Sequence, residues 1–159
     1  MAAPGTSSSS ASASASVEHA QALIRCPSVT PVEGGAIAYI AQWAKALGGC
    51  AERIDRNGVP NLFVKFGPRG ASNGRHFAFA GHTDVVPIDG QDWSSDPFAP
   101  EVRDGRMFGR GTCDMKGFCA LALSLVPEMQ RLRRPIHFAF SYYYFPILKF
   151  LLLLQIHKS

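Results

Sequence analysis

Cysteine is scarce in this 159-residue chain: Cys26, Cys50, Cys113 and Cys119 are too few for a disulfide scaffold, and no two form a CxxC pair. They read as reduced thiols, which points to an intracellular, cytoplasmic protein. A dense stripe of Lys or Arg is missing too. The net charge of +4 is a mild basic excess. The longest basic cluster, Arg131, Arg133 and Arg134, falls at the end of an expected helix, where cations complement the helix dipole. Nucleic acid is therefore not an expected partner. No GK[ST] follows a glycine-rich stretch, so a phosphate-binding P-loop is excluded. No internal repeat is visible.

What is present is a globular composition: 47% hydrophobic, 18% charged and 11% aromatic residues. It excludes collagen-like, coiled-coil and wholly disordered chains, and the length suits one domain. Residues 1–16 are almost entirely Ala, Ser, Gly and Thr and carry no charge. They lack the basic start and apolar run of a secretory signal and the Arg of a transit peptide. Such a stretch buries too little surface to offset its ordering entropy, so a disordered tail is expected there.

From Val17 the spacing changes. Val17, Ala20, Leu23 and Ile24 predict a helix with Ser16 as N-cap. Thr30-Pro31-Val32-Glu33 has the capping-box spacing with Pro at the first helical position, and Ile37, Ile40, Ala41, Ala44 and Leu47 supply one apolar face. Strands are expected near 51–54 and 61–66 around an Asn57-Gly58 turn, with loop composition over 67–74. His76–Ala80 (HFAFA) reads as a strand buried on both faces, and Pro135–Phe140 as another. A hairpin is expected about Asp104-Gly105, and a helix over 115–132. Helices alternating with strands predict an α/β fold. The last segment, 142–159, is apolar and without acidic residues. The run from Ile136 to Ile156 is long enough to span a bilayer, but Lys149 and Pro146 within it argue against a membrane anchor.

Two segments carry chemistry. Gly81-His82-Thr83-Asp84-Val85-Val86-Pro87 follows an expected strand. A neutral imidazole is a good zinc ligand, and a carboxylate two residues on can orient its other nitrogen. Gly109-Arg110-Gly111-Thr112-Cys113-Asp114-Met115-Lys116-Gly117 precedes a helix and sets the Asp114 carboxylate at a strand-to-helix junction. One carboxylate there can bridge two metals. The plainer alternatives are a hydrogen-bonded structural His82, an N-capping Asp114 and a buried inert Cys113.

Taken together, GHTDVVP, W-x-x-D-P-F (Trp93 to Phe98), D-G-R-x-x-G-R-G (Asp104 to Gly111) and T-C-D-M-K-G-F resemble the zinc-dependent aminoacylase/carboxypeptidase metallopeptidase family. Within it, GRGTCDMKGF is most similar to the acetylornithine deacetylases, whereas the related desuccinylases usually carry GRGAADMKG. The resemblance covers 17–141. It implies part of a three-layer α/β catalytic domain, with helices on both faces of the sheet. It further implies His82 as a zinc ligand, Asp114 as the bridge between two Zn2+ (or Co2+) ions, and Asp84 as the catalytic-site carboxylate that orients His82. The implied reaction hydrolyses the amide of N2-acetyl-L-ornithine to ornithine and acetate, in arginine biosynthesis; the family is homodimeric, but its dimerisation domain has no expected counterpart in this chain. The alternatives are a desuccinylase or other N-acyl amino acid hydrolase, and a non-catalytic or membrane-tethered fragment.

The resemblance breaks at one point. Where the family continues with Asp-Glu-Glu, supplying the base and a ligand, this chain has Tyr143, Tyr144 and Phe145. Phe cannot ligate a metal, and a tyrosine with pKa near ~10 is a poor base at neutral pH. The expectation is an N-terminal fragment with a divergent tail, one that resembles out-of-frame or unspliced translation and is inactive by itself.

Overall fold

The computed structural model describes residues 7–56, 58–67, 77–131 and 135–141. The elements are α1 (Ser7–Ile24), α2 (Ala36–Ala46), β1 (Cys50–Arg56), β2 (Val59–Phe66), β3 (Phe77–His82), β4 (Glu101–Arg103), β5 (Arg106–Phe108), α3 (Gly117–Ser124), α4 (Val126–Met129) and β6 (Ile136–Ser141). The class is α/β, as expected. Four strands form a mixed sheet in the order β1-β2-β6-β3, antiparallel except for β6 beside β3.

The period of two along β2 sets the core. Leu62, Val64 and Phe66 face inward and lie opposite Phe140, Phe138 and Ile136 of β6. Phe138 stacks on Phe79 of β3 at 5.2 Å and meets Phe66 edge-on at 5.9 Å. Onto this face pack Ala20 and Leu23 of α1, Ala36, Ile37, Ile40 and Ala44 of α2, and Cys119, Ala120, Ala122 and Leu123 of α3. Each fully buried Leu, Ile, Val or Phe contributes roughly 1.5–3 kcal/mol, so this one face dominates stability. Among the described residues, α1, α2 and α3 all share this core; the opposite face carries Phe63, Lys65, His137 and Ala139.

Several boundaries move. α1 begins at Ser7 rather than Val17, so part of the expected disordered tail is helical. Alanine is the strongest helix former, and the Ser14 hydroxyl donates to Glu18 across one turn at 3.1 Å. The second helix starts at Ala36, not Pro31. Gly34 and Gly35 both have positive φ (65° and 93°) and delay it, and Glu33 rather than Thr30 caps it, accepting from the Gly35 and Ile37 N–H groups.

The helix expected over 115–132 splits into α3 and α4, because Pro127 has no N–H to continue the ladder. Its buried face is Cys119, Ala120, Ala122, Leu123 and Val126, while Phe118 is 39% exposed. β3 was expected to be buried on both faces. It is instead an edge strand among the described residues, with Phe77 exposed. The hairpin forms as expected, with Asp104 and Gly105 both at positive φ, as a two-residue turn between twisted strands requires. Among the described residues, no helix is long and apolar enough to cross a membrane; the apolar tail from 142 lies outside them.

Candidate metal centre

His82 is the last residue of β3 and lies beside Ser141 at the end of β6. From there the chain is held on both sides. Thr83 N–H donates to Ser141 O at 2.9 Å, and Val85 N–H donates to Ser28 O at 2.9 Å. The Ser28 hydroxyl donates to Thr83 O at 2.5 Å. A parallel bridge joins Val85 to Val29. His82 and Asp84 therefore sit on a braced segment rather than a free loop.

The imidazole has a carboxylate at each nitrogen. Nδ1 lies 3.3 Å from Asp84 Oδ1 and also 3.3 Å from the Asp84 carbonyl, while Nε2 lies 3.0 Å from Asp114 Oδ1. Asp84 is 12% exposed and Asp114 86%, so one carboxylate is inside the protein and the other faces solvent. Asp84 Oδ2 accepts from the Thr30 hydroxyl at 3.3 Å. Buried Oδ1 has no well-angled hydrogen bond, and its close neighbour is the imidazole. Asp84 is the main influence raising the His82 pKa; burial opposes it and Asp114 adds to it.

Asp114 reaches His82 because the backbone before α3 is not helical. Gly111 takes φ 87° and ψ 2°, Lys116 N–H returns to Gly111 O at 2.8 Å, and Asp114 itself is extended at φ −131° and ψ 98°. The plain alternative of an N-capping Asp114 does not hold, because α3 has no side-chain cap and the carboxylate faces His82. Nor is Cys113 the buried thiol expected; it is exposed. Tyr143, Tyr144 and Phe145 lie outside the described residues.

The other motifs converge on the same loop. Arg110 stacks over the Trp93 ring at 4.7 Å and donates to the Gln91 side chain and to Pro87 O. Its own N–H donates to Pro97 O at 2.7 Å, and Asp96 accepts from Phe98 N–H at 2.8 Å. That network explains why W-x-x-D-P-F and G-R-G occur together.

One residue was missed. Lys116 is fully buried, and its Nζ donates to Cys26 O at 2.7 Å. Burial pushes its pKa down to about 8, against the pull of Cys26, Cys119 and Asp84. The signal was a lone Lys at the start of an otherwise apolar helix, Gly117–Ser124.

As a metal site the arrangement is incomplete. His82 Nε2 and Asp114 Oδ1 are suitable ligand atoms 3.0 Å apart, but among the described residues no group of three His, Cys, Asp or Glu converges.

Residues 78–142 match Peptidase family M20/M25/M40. The chain is 50% identical over 111 residues to the succinyl-diaminopimelate desuccinylase of Cereibacter sphaeroides, covering 67% of this chain and 29% of that protein. It is 49% identical over 117 residues to succinyl-diaminopimelate desuccinylase 2 of a Ruegeria species, covering 70% and 29%. The fold is shared with human carnosine dipeptidase 1, at TM-score 0.70 and 21% identity over 89% of this chain and 36% of that one. It is shared also with the M20 family metallo-carboxypeptidase Sso-CP2 of Sulfolobus solfataricus, at TM-score 0.67 and 20% identity over 79% and 30%. The chain thus spans 29% of the length of these curated relatives. They carry the desuccinylase name, whereas GRGTCDMKGF pointed to the acetylornithine deacetylases.

Proposed function

On the premise of that M20/M25/M40 match, we propose that residues 17–141 are the N-terminal part of the catalytic domain of a metal-dependent N-acyl amino acid amidohydrolase. The observation that carries the reading is His82 held between buried Asp84 and solvent-facing Asp114. His82 Nε2 and Asp114 are the residues that would hold zinc or cobalt. When bound, such an ion polarises the scissile carbonyl and lowers the pKa of its water towards ~7.

The chain's own residues do the preparation. Asp84 faces Nδ1 with its carbonyl and its carboxylate, each at 3.3 Å, which favours the proton on that nitrogen, leaves the Nε2 lone pair available and holds the ring in one orientation. Thr30 fixes the far oxygen of Asp84. Because Asp84 faces His82 and Thr30, it orients the ligand and does not serve as the base. In this reading the base and the remaining ligands are not among the described residues.

The substrate reading is an N-succinyl diamino acid of the diaminopimelate type, supported by 50% identity to a desuccinylase. A second reading, N2-acetyl-L-ornithine, is supported by Thr112-Cys113 in the GRGTCDMKGF segment. A cytoplasmic location belongs to the same reading.

The test is a chimera in which residues 17–141 replace the matching portion of the Cereibacter sphaeroides enzyme. It is assayed with N-succinyl-diaminopimelate and N2-acetyl-L-ornithine in zinc or cobalt. Turnover that His82→Ala and Asp114→Ala each remove is expected. A folded, metal-loaded chimera indifferent to both substitutions would overturn the reading.

A further inference from the structure

Every bond that braces Asp84 from one side comes from the segment between α1 and α2, of which the proposed reaction uses Thr30 alone. Ser28 N–H donates to Cys26 O at 2.8 Å, closing a tight turn. Fully buried Ser28 then holds Thr83 O with its hydroxyl and Val85 N–H with its carbonyl. Thr30 follows, its N–H on Val85 O at 3.3 Å and its hydroxyl on Asp84 Oδ2 at 3.3 Å. Behind the turn the packing is close. A Cβ on Gly34 would lie 2.7 Å from Ser28 N, and one on Gly111 would lie 2.7 Å from Val85 Cγ1 and 3.1 Å from Lys116 Cδ.

Lys116 reaches this turn from the other side. It comes from the Thr112–Lys116 segment that also presents Asp114, it is fully buried, and its Nζ reaches Cys26 O at 2.7 Å. A buried ammonium is costly unless it is hydrogen-bonded, so the acceptor cannot drift from it. We propose that Lys116 is a positioning residue for the His82–Asp84 pair: by anchoring Cys26 O it locks the 26–30 turn, and the turn in turn sets Thr83–Val85 and the Asp84 carboxylate. One side chain thereby ties the segment bearing Asp114 to the segment bearing His82. This rests on the proposed function only in giving that pair a purpose; the linkage itself stands on geometry.

The test measures amide hydrogen exchange of the metal-free chain. Lys116→Met keeps the apolar stem and removes the donor. It is expected to speed exchange at Val85 and Thr30 by about tenfold relative to the β2–β6 ladder amides of Val64 and Phe138. Ser28→Ala is expected to act on the same amides, and the double variant to exceed the larger single effect by less than about twofold. Leu123→Ala, a buried α3 change without a bond to the turn, should speed all four amides alike. If Lys116→Met does not fold, Lys116→Gln, which keeps an N–H donor, carries the same comparison with a smaller effect.

Uniform acceleration in the Lys116 variant, or effects that multiply in the double variant, would overturn the proposal. Cobalt titration of the chimera, with and without Lys116→Met, separates the two ideas. Local exchange that responds while the folded chimera binds no cobalt leaves the positioning role standing and removes the metal reading. Cobalt binding with unresponsive exchange does the reverse.

Discussion

Gly111→Ala tests whether the G-R-G segment is glycine for a structural reason. Gly111 has φ 87°, a conformation that costs an L-residue roughly 1–2 kcal/mol. The added Cβ would also lie 2.7 Å from Val85 Cγ1 and 3.1 Å from Lys116 Cδ, well inside the ~3.5–4.0 Å of ordinary carbon contact. Val85 cannot give way easily. It is 4% exposed, pinned by hydrogen bonds at both its N–H and its carbonyl, and stiff at χ1. Overpacking of this kind costs about 1–3 kcal/mol; less the roughly 0.4–1 kcal/mol regained through the restricted unfolded chain, the whole loss is about 1–4.5 kcal/mol.

Gly90 supplies the comparison. It has φ 70°, but an added Cβ meets nothing within 4 Å. Strain there is partly offset by the lost freedom of the unfolded chain, about 0.4–1 kcal/mol, leaving a loss of roughly 0–1.5 kcal/mol. Urea unfolding followed by tryptophan fluorescence reads both variants. Gly111→Ala should shift the midpoint clearly further than Gly90→Ala with the same slope. Equal shifts would refute the close approach as the reason for glycine.

Three further outcomes follow from the site and the core. Buried His19, hydrogen-bonded to Tyr39 at 2.8 Å, has its pKa lowered by burial; the fold binds fewer protons than the unfolded chain, so stability is complete above pH ~6.5 and falls below it. His19→Gln should flatten that acid-side loss in thermal melts between pH 7 and 5. The raised His82 pKa makes its proton a competitor for metal, so cobalt affinity measured by calorimetry should fall as pH drops through that value, approaching tenfold per unit, and His82→Ala should abolish it. The unfused chain should release neither ornithine nor diaminopimelate above the buffer rate in zinc or cobalt, since a missing base alone costs about 10²–10⁴-fold. Turnover removed by both His82→Ala and Asp114→Ala would mean that the chain finds its own base.

The parts of the fold that could be read in advance are those governed by local period. The strand expected at 61–66 forms within β2, and the chain order around GHTD places His82 at a strand end. Asp114 at a strand-to-helix junction was equally visible, because glycines flank it on both sides. What escaped depends on distant residues. Nothing within five positions of Lys116 reveals that Cys26 O, 90 residues earlier, awaits its ammonium. The start of α2 was lost for a different reason: Thr30 and Glu33 satisfy the capping-box pattern, but Thr30 is committed to Val85 and Asp84. The phase of α3 could not be extrapolated through the irregular backbone at Asp114 and Met115.

The insertion of β6 between β2 and β3 has a consequence for the order of events during synthesis. Phe77–His82 pairs along Ile136–Ser141, so nearly sixty residues must be made between one strand and its neighbour. At roughly 5–20 residues per second, that is an interval of about 3–12 seconds. During it β2 has only β1 beside it, and Phe79 lacks the Phe138 ring on which it stacks. His82 meets Asp114 across a shorter loop, but the Thr83–Ser141 bond that steadies it waits for the last strand. Closing so long a loop carries an entropic cost that local turns do not, so the two acidic partners can gather around His82 before the floor beneath it is laid.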